Sequence, residues 1–304
     1  MNILITGASG FLGRHLSVFL EKAGHLVTKT DSKSADLTTA GSLNKFNNTR
    51  FDQVYHLAAW TQAGDFCLYH SGEQWIINQQ INTNVLTWWQ QSQPKAKMIA
   101  LGTSVSYSTE TGLEENNYLN GIPSDKFYAY AMSKRMLLVG LQSLHKQFGM
   151  NYLYVIPSTL YGPDYHTDGR QLHFIFDLIR KILKGKQNGN PVLLWGDGYQ
   201  RRELVYIDDF VKILYKLNMV AQNDYFNIGA DEDYSIRDFV KIICDEIGFD
   251  IAKVEYDLNG YVGARSKVLS VNKLKSTITF SRTPLPEGIK KTIEWVKQSS
   301  LLYQ

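Results

Sequence analysis

The stretch MNILITGASGFLGRHLSVFLEKAGHLVTKTD, residues 1–31, constrains the fold more tightly than any other part of the chain. Residues 3–5 are a short apolar run flanked by isoleucines, as a strand buried on both faces requires. A turn carrying Gly7, Gly10 and Gly13 follows, and Leu12, Leu16, Phe19 and Leu20 then recur at helical spacing. Gly24 stops that helix, and HLVTKTD reads as the next strand. Glycines at such a turn let the backbone bend sharply and approach a pyrophosphate, whose charge the helix N-terminus stabilises. The turn follows a strand and opens a helix, which is the context dinucleotide binding needs. Asp31, at the end of the second strand, suits an adenosine ribose and hence NAD. Arg14, Lys29 and Lys33 lie close by and suit the 2′-phosphate of NADP, so the choice between NADP and NAD stays open. Asp36 and Leu37 either reach the adenine edge or belong to a helix cap ahead of Leu43.

Strand and helix patterns continue to alternate. QVYHLAA is a strand, and WIINQQINTNVLTWWQQ is a helix with Ile77, Ile81, Val85 and Trp88 on one stripe. MIALGTSVSY, AYAMSKRMLLVGLQSLHKQFG and YLYVIPSTLYGP read as strand, helix and strand. The pattern predicts an α/β, doubly wound parallel-sheet Rossmann fold, with ligands beyond the carboxyl ends of the strands. After Pro163 the order loosens: a helix through His173–Leu183, a strand VLLWG, and helices beginning at YIDDFVKIL and, capped by Ser235, YSIRDFVKIICDEIG. We expect a Rossmann domain over 1–165 and a smaller C-terminal substrate lobe over 166–304, with some segments shared.

The 304 residues leave room for both lobes. A net charge of +3 is close to balance and gives no sign of nucleic acid or anionic membrane as the main partner. No apolar run approaches the roughly 20 residues that span a bilayer, and the start lacks the pattern of a signal peptide. Cys67 and Cys244 make neither a disulfide framework nor a metal site. The expectation is a cytoplasmic protein acting on a small molecule, with no metal.

The stretch LGTSVSYS, residues 101–108, gathers hydroxyls at a strand end and interrupts them with Val105. No G-x-S-x-G elbow surrounds them, which argues against a serine hydrolase. In YAYAMSK, Tyr130 and Lys134 stand at i and i+4, on one helix face. A phenol's ordinary pKa of about 10 is too high for easy proton exchange near neutrality. An ammonium one turn away is expected to lower it. Tyr128 has Met132 four residues on instead, and offers no such pair.

TGASGFLG, the hydroxyl-rich strand end, YAYAMSK, STLYGP and WGDGYQRRELVYIDDF occur in the order of a known family. Over Met1 to about Val296 the chain resembles the extended short-chain dehydrogenases/reductases, the NAD-dependent epimerase/dehydratase family. It is most similar to the GDP-fucose synthase and nucleotide 4-keto-sugar reductase branch. The resemblance implies a catalytic trio of Thr103, Tyr130 and Lys134, Thr103 being selected by its spacing from Tyr107. It implies cofactor contacts from Gly7, Ser9, Gly10, Phe11, Leu12, Gly13, Asp31, Asp36, Leu37, Leu57, Ala58, Ala59 and Pro157, as well as Tyr130 and Lys134. Thr103, Ser104, Thr159, His173, Trp195, Arg202 and Arg265 are the implied substrate contacts, with Lys267 a weaker phosphate candidate. Asn84 resembles the asparagine that supports the active-site helix, and helices over about 76–91 and 130–147 imply a homodimer face.

Two departures stand out. The family's dehydratases carry Asp-Glu after the hydroxyl residue, where this chain has Ser104 and Val105. Its GDP-fucose synthases carry a proton-exchanging cysteine where Val105 stands, partnered by a histidine that matches His173. Valine takes no proton, so the implied reaction is hydride transfer from NAD(P)H to the C4 ketone of a nucleotide-linked 4-keto-6-deoxyhexose. A 4-epimerase with the same trio, or a non-catalytic NAD(P)-binding protein, is the alternative.

Overall fold

The computed structural model describes residues 1–259, 266 and 268–303. Its centre is a six-stranded parallel sheet in which β1 (Asn2–Thr6) pairs on one side with β2 (Leu26–Thr30) and on the other with β3 (Gln53–His56). The sheet continues through β4 (Lys97–Leu101) and β5 (Tyr152–Pro157). Helices α1 (Phe11–Lys22), α2 (Phe66–Tyr69), α3 (Ser71–Ser92) and α4 (Tyr128–Phe148) connect these strands.

YLYVIPSTLYGP is not one strand. It breaks after Pro157, and β6 (Thr159–Tyr161) leaves the central sheet to pair with β9 (Leu204–Tyr206). Ser158 makes the turn: its N–H bonds Ile228 O at 3.0 Å while its hydroxyl reaches Glu203 O at 3.3 Å. The second half adds α5 (Phe174–Asn188), β7 (Val192–Trp195), β8 (Arg201–Arg202) and α6 (Ile207–Val220). Then come β10 (Asp224–Ile228), β11 (Tyr234–Ser235), α7 (Ile236–Ile247) and β12 (Val254–Asp257). Helices α8 (Asn272–Thr277) and α9 (Leu285–Gln298) follow. Ser235 caps α7 as its sequence suggests, in a reciprocal box with Asp238.

Strand β10 returns to the central sheet and forms its edge beside β5. Successive strand residues face opposite ways, so Ile3 and Ile5 pack with Leu16, Phe210 and Leu214 while Leu4 packs on the other face with Val85, Trp89 and Leu138. Trp88 and Trp89 are core residues, each with its indole N–H satisfied at 2.9 Å, by Asn47 and by Ala96 O. A separate cluster built from Phe176, Ile179, Phe239, Ile243 and Ile289 packs α5, α7 and α9 together. Among the described residues no helix is long and apolar enough to cross a membrane.

Candidate active site

Gly7 has φ +70° and lies so close to the end of β3 that a Cβ there would sit 2.8 Å from Ala58 N. A Cβ on Gly13 would run into Gly7 O and come within 2.7 Å of Ala8 Cα, so α1 packs on the turn at backbone distance. Gly10 is the N-cap of α1 and no side chain caps the helix. The result is a cradle of backbone N–H groups at a helix N-terminus, which fits a dinucleotide pyrophosphate. Ser9, Phe11 and Leu12 belong to this turn, Leu57, Ala58 and Ala59 follow β3, and Pro157 ends β5, all at the carboxyl edge of the sheet.

The adenosine end is more occupied by its own contacts. Asp31 accepts the N–H groups of Lys33 and Ser34 and the Ser34 hydroxyl, and these bonds hold its pKa below the usual carboxylate value. Asp36 is held low in the same way by Thr38, in a local turn and not at a helix cap. Leu37 is buried. Of the three cations weighed for a 2′-phosphate, Lys29 pairs with Glu21 at 2.8 Å and Arg14 holds the carbonyls of Ser9 and Asp164. Lys33 stands exposed beside Asp31.

Each hydroxyl of LGTSVSYS has a separate task. Ser106 is buried and donates to Ala131 O at 3.1 Å, while its carbonyl takes two bonds from Arg135. Tyr107 donates to buried Asn227 at 2.7 Å, and Ser108 is buried beside Gly121. Thr103 differs: its hydroxyl accepts only a long bond from Val105 N, 3.4 Å, at the start of a single 3-10 turn. Thr103 and Ser104 stay half-buried at the strand end.

A one-way chain of buried hydrogen bonds ties Thr103 to Lys134. Thr103 N–H gives to Tyr118 Oη at 3.4 Å, and the Tyr118 and Tyr154 hydroxyls stand 2.9 Å apart. Tyr154 then gives to Lys134 O at 2.7 Å. Since the Tyr154 hydrogen is used on Lys134, Tyr118 is the donor between the two phenols. Lys134 is 4 % exposed, and its Nζ stands 5.8 Å from the centre of the Tyr130 ring.

Burial pushes the Lys134 ammonium down to about 8 and pushes the Tyr130 phenol up. The expected acidification of Tyr130 by its neighbour is therefore outweighed in the free chain, because phenolate loses more by desolvation than it gains from an amine itself shifted toward neutrality. His56, fully enclosed between Thr6 and Asn82, is held down to about 4 by burial first and by the Lys134 charge second.

The asparagine that reaches the active-site helix is Asn82, which donates to Ser133 O at 3.3 Å. Asn84 instead donates to Leu37 O at 2.9 Å and holds the adenosine-side loop. His173 is the N-cap residue of α5 and is exposed, with its ring centre 6.2 Å from that of Tyr165. Thr159 is half-buried on β6, and Trp195 is 64 % exposed at the end of β7. Arg202, on β8, is half-buried beside Arg201, whose guanidinium is tied to Asp233 at 2.7 Å. Arg265 and Lys267 lie outside the described residues. Tyr118, Tyr154, Asn82 and Asn227 escaped the sequence reading because buried tyrosines and helix amides carry no pattern of their own.

A glycine cradle at the first strand end, and at the fourth a hydroxyl residue tied by hydrogen bonds to the helix that carries Tyr130 and buried Lys134, form the layout of a nicotinamide-dependent enzyme. Residues 3–229 match the NAD dependent epimerase/dehydratase family, and the chain belongs to it. It is 28 % identical to a GDP-L-fucose synthase of Azorhizobium caulinodans, over 99 % of this chain and 98 % of that one. A dTDP-4-dehydro-6-deoxy-D-allose reductase of a Streptomyces species is 25 % identical, over 97 % and 96 %. The NADP-bound GDP-L-fucose synthetase of Naegleria fowleri superposes with a TM-score of 0.86 at 25 % identity, covering 98 % and 94 %.

Proposed function

We propose that the chain is a nucleotide-sugar oxidoreductase that reduces the C4 ketone of a nucleotide-linked 4-keto-6-deoxyhexose. NADPH or NADH, held at the glycine cradle, supplies the hydride when bound. Thr103 hydrogen-bonds the ketone oxygen, Tyr130 gives it a proton, and Lys134 stabilises the phenolate left behind. Arg202 and Arg265 take the diphosphate, whose oxygens match a guanidinium fork. Trp195, Thr159, Ser104 and His173 line the sugar and nucleotide, within the smaller lobe and at its seam with the Rossmann lobe.

The observation that carries this reading is Val105 beside an intact trio. The site keeps what a carbonyl reduction needs and lacks, at that position, a group to take a proton from carbon. Relatives named as keto-sugar reductases support it. The test is incubation with a panel of nucleotide 4-keto-sugars and each reduced cofactor, following nicotinamide absorbance. Stoichiometric consumption is expected with at least one pair; interconversion of 4-epimers without consumption refutes the reading in favour of an epimerase.

The same reading includes a cytoplasmic homodimer joined through the outer faces of α3 and α4. Ile76, Tyr128 and Met136 are large apolar residues exposed there, which supports it. Light scattering on the purified protein checks the mass.

A further inference from the structure

The sheet order fixes which way a dinucleotide lies across the carboxyl edge. Thr103 follows β4, the glycine turn follows β1, and β3 lies between those strands. With the nicotinamide at the proposed trio, the adenosine falls on the opposite side of the turn, over β2. There Thr6 stands in register with Thr30, and Ala8 N–H bonds Thr30 O at 3.0 Å. Gly7 and Asp31 are the next residues along the two strands.

Three bonds fix the Asp31 carboxylate. Its Oδ1 accepts the N–H groups of Lys33 and Ser34, at 3.1 and 2.9 Å, and the Ser34 hydroxyl at 2.9 Å. Ser34 is held in turn: its Oγ takes the Asp31 N–H at 2.9 Å and stands 3.1 Å from Thr30 Oγ1, while its carbonyl takes Lys45 Nζ. Asp31 Oδ2 is in no hydrogen bond among the described residues, and the residue is only half-buried.

The cations that a 2′-phosphate needs are committed elsewhere. Lys29 Nζ pairs at 2.8 Å with Glu21, ten residues along α1 from Phe11 and so about 15 Å from the cradle. Arg14 holds the carbonyls of Ser9 and Asp164, and Lys45 holds that of Ser34. That leaves Lys33, exposed beside the Asp31 carboxylate.

We propose that Asp31, locked in place by Ser34, makes the chain select NAD(H) over NADP(H). An adenosine 2′-hydroxyl donates to Oδ2, whereas a 2′-phosphate brings only acceptors and further negative charge to a carboxylate that its three bonds hold in place. This rests on the cofactor part of the functional reading, and Ser34 acts in it as a positioning residue.

The experiment is calorimetric titration with NAD⁺ and with NADP⁺, without any sugar. The unaltered protein should bind NAD⁺ at least about tenfold more tightly, the size of one hydrogen bond to a charged group. Asp31→Asn keeps the Oδ1 acceptor of the turn and removes the charge, so NADP⁺ should gain and NAD⁺ lose, bringing the two within about threefold. Ser34→Ala should narrow the ratio by a smaller factor, and Ser34→Thr should restore it. NADP⁺ bound as tightly as NAD⁺ by the unaltered protein, a ratio unmoved in Asp31→Asn or in Ser34→Ala, or a tenfold loss of NADP⁺ affinity in Lys33→Ala, overturns the proposal. If the unaltered protein reduces none of the sugar panel while the ratios move as stated, the functional reading falls and the cofactor assignment stands.

Discussion

Replacing Tyr118 or Tyr154 by Phe cuts the chain that joins Thr103 to Lys134, and the links can be counted. Tyr118→Phe removes the bond from Thr103 N–H at 3.4 Å and the phenol–phenol bond at 2.9 Å. Tyr154→Phe removes the same phenol–phenol bond and the 2.7 Å bond to Lys134 O. Both rings are fully buried, and of the backbone groups left behind Thr103 N–H loses its partner while Lys134 O, inside α4, keeps its helical bond. Each lost bond is worth about 1 kcal/mol, and a buried polar group left alone about 1–3 kcal/mol. Each single variant should therefore lose about 2–4 kcal/mol. The double variant loses three bonds, not four, and should fall short of additivity by about 1 kcal/mol. Urea unfolding of the four proteins measures the coupling. The turnover number should fall in both single variants with the sugar KM little changed, because the chain orients the residues proposed for catalysis and has no part in the proposed substrate contacts of Arg202 and Trp195. Strict additivity, or full turnover in either variant, refutes the claim that the tyrosines couple Thr103 to Lys134.

Gly13→Ala should push α1 off the turn, since its new methyl meets Gly7 O and Ala8 Cα; cofactor affinity should drop by about tenfold or more in a fluorescence titration, and unchanged affinity counts against the cradle. Lys134 binds its proton more weakly folded, with a pKa of about 8, than unfolded at 10.5, so stability rises with pH between those values. Lys134→Met should take about 1.4 kcal/mol per pH unit out of that rise in urea titrations, and an unaltered slope refutes the buried ammonium. Lys97, pushed to about 8 by burial, adds a rise of the same sign that should remain. Val105→Cys should introduce slow deuterium uptake beside the ketone in heavy water, read by mass spectrometry; no label means that position 105 does not face the sugar carbon.

What was legible in the sequence follows from periodicity. Ile3–Ile5 and the leucines of α1 announce a strand, a turn and a helix because burial on a sheet imposes those spacings. Spacing and family resemblance together pointed to Thr103, Tyr130 and Lys134; the structure sets Lys134 Nζ 5.8 Å from the Tyr130 ring centre, and their catalytic roles stand as a proposal. Asn84 misled for a geometric reason: two residues along a helix is a rotation of about 200°, so Asn82 faces α4 while Asn84 faces Leu37. The break at Pro157 was hidden because YLYVIPSTLYGP keeps strand composition across it, and the partner that draws β6 away, β9, lies far along the chain. The phenol's shift was read with the wrong sign, since an i, i+4 spacing reports proximity and says nothing of burial.

That sign bears on the direction of the chemistry. Burial drives both members of the pair toward their neutral forms, the phenol up and the ammonium down. A protonated phenol is ready to give a proton to a ketone oxygen, whereas oxidising a sugar hydroxyl requires a phenolate to receive one. Every pKa unit by which burial opposes ionisation makes the phenolate tenfold scarcer at a given pH. An epimerase needs both forms in alternation; a reductase needs the phenol first and regains it from solvent between turnovers. In the free chain the phenol is therefore protonated, the form a reductase uses first.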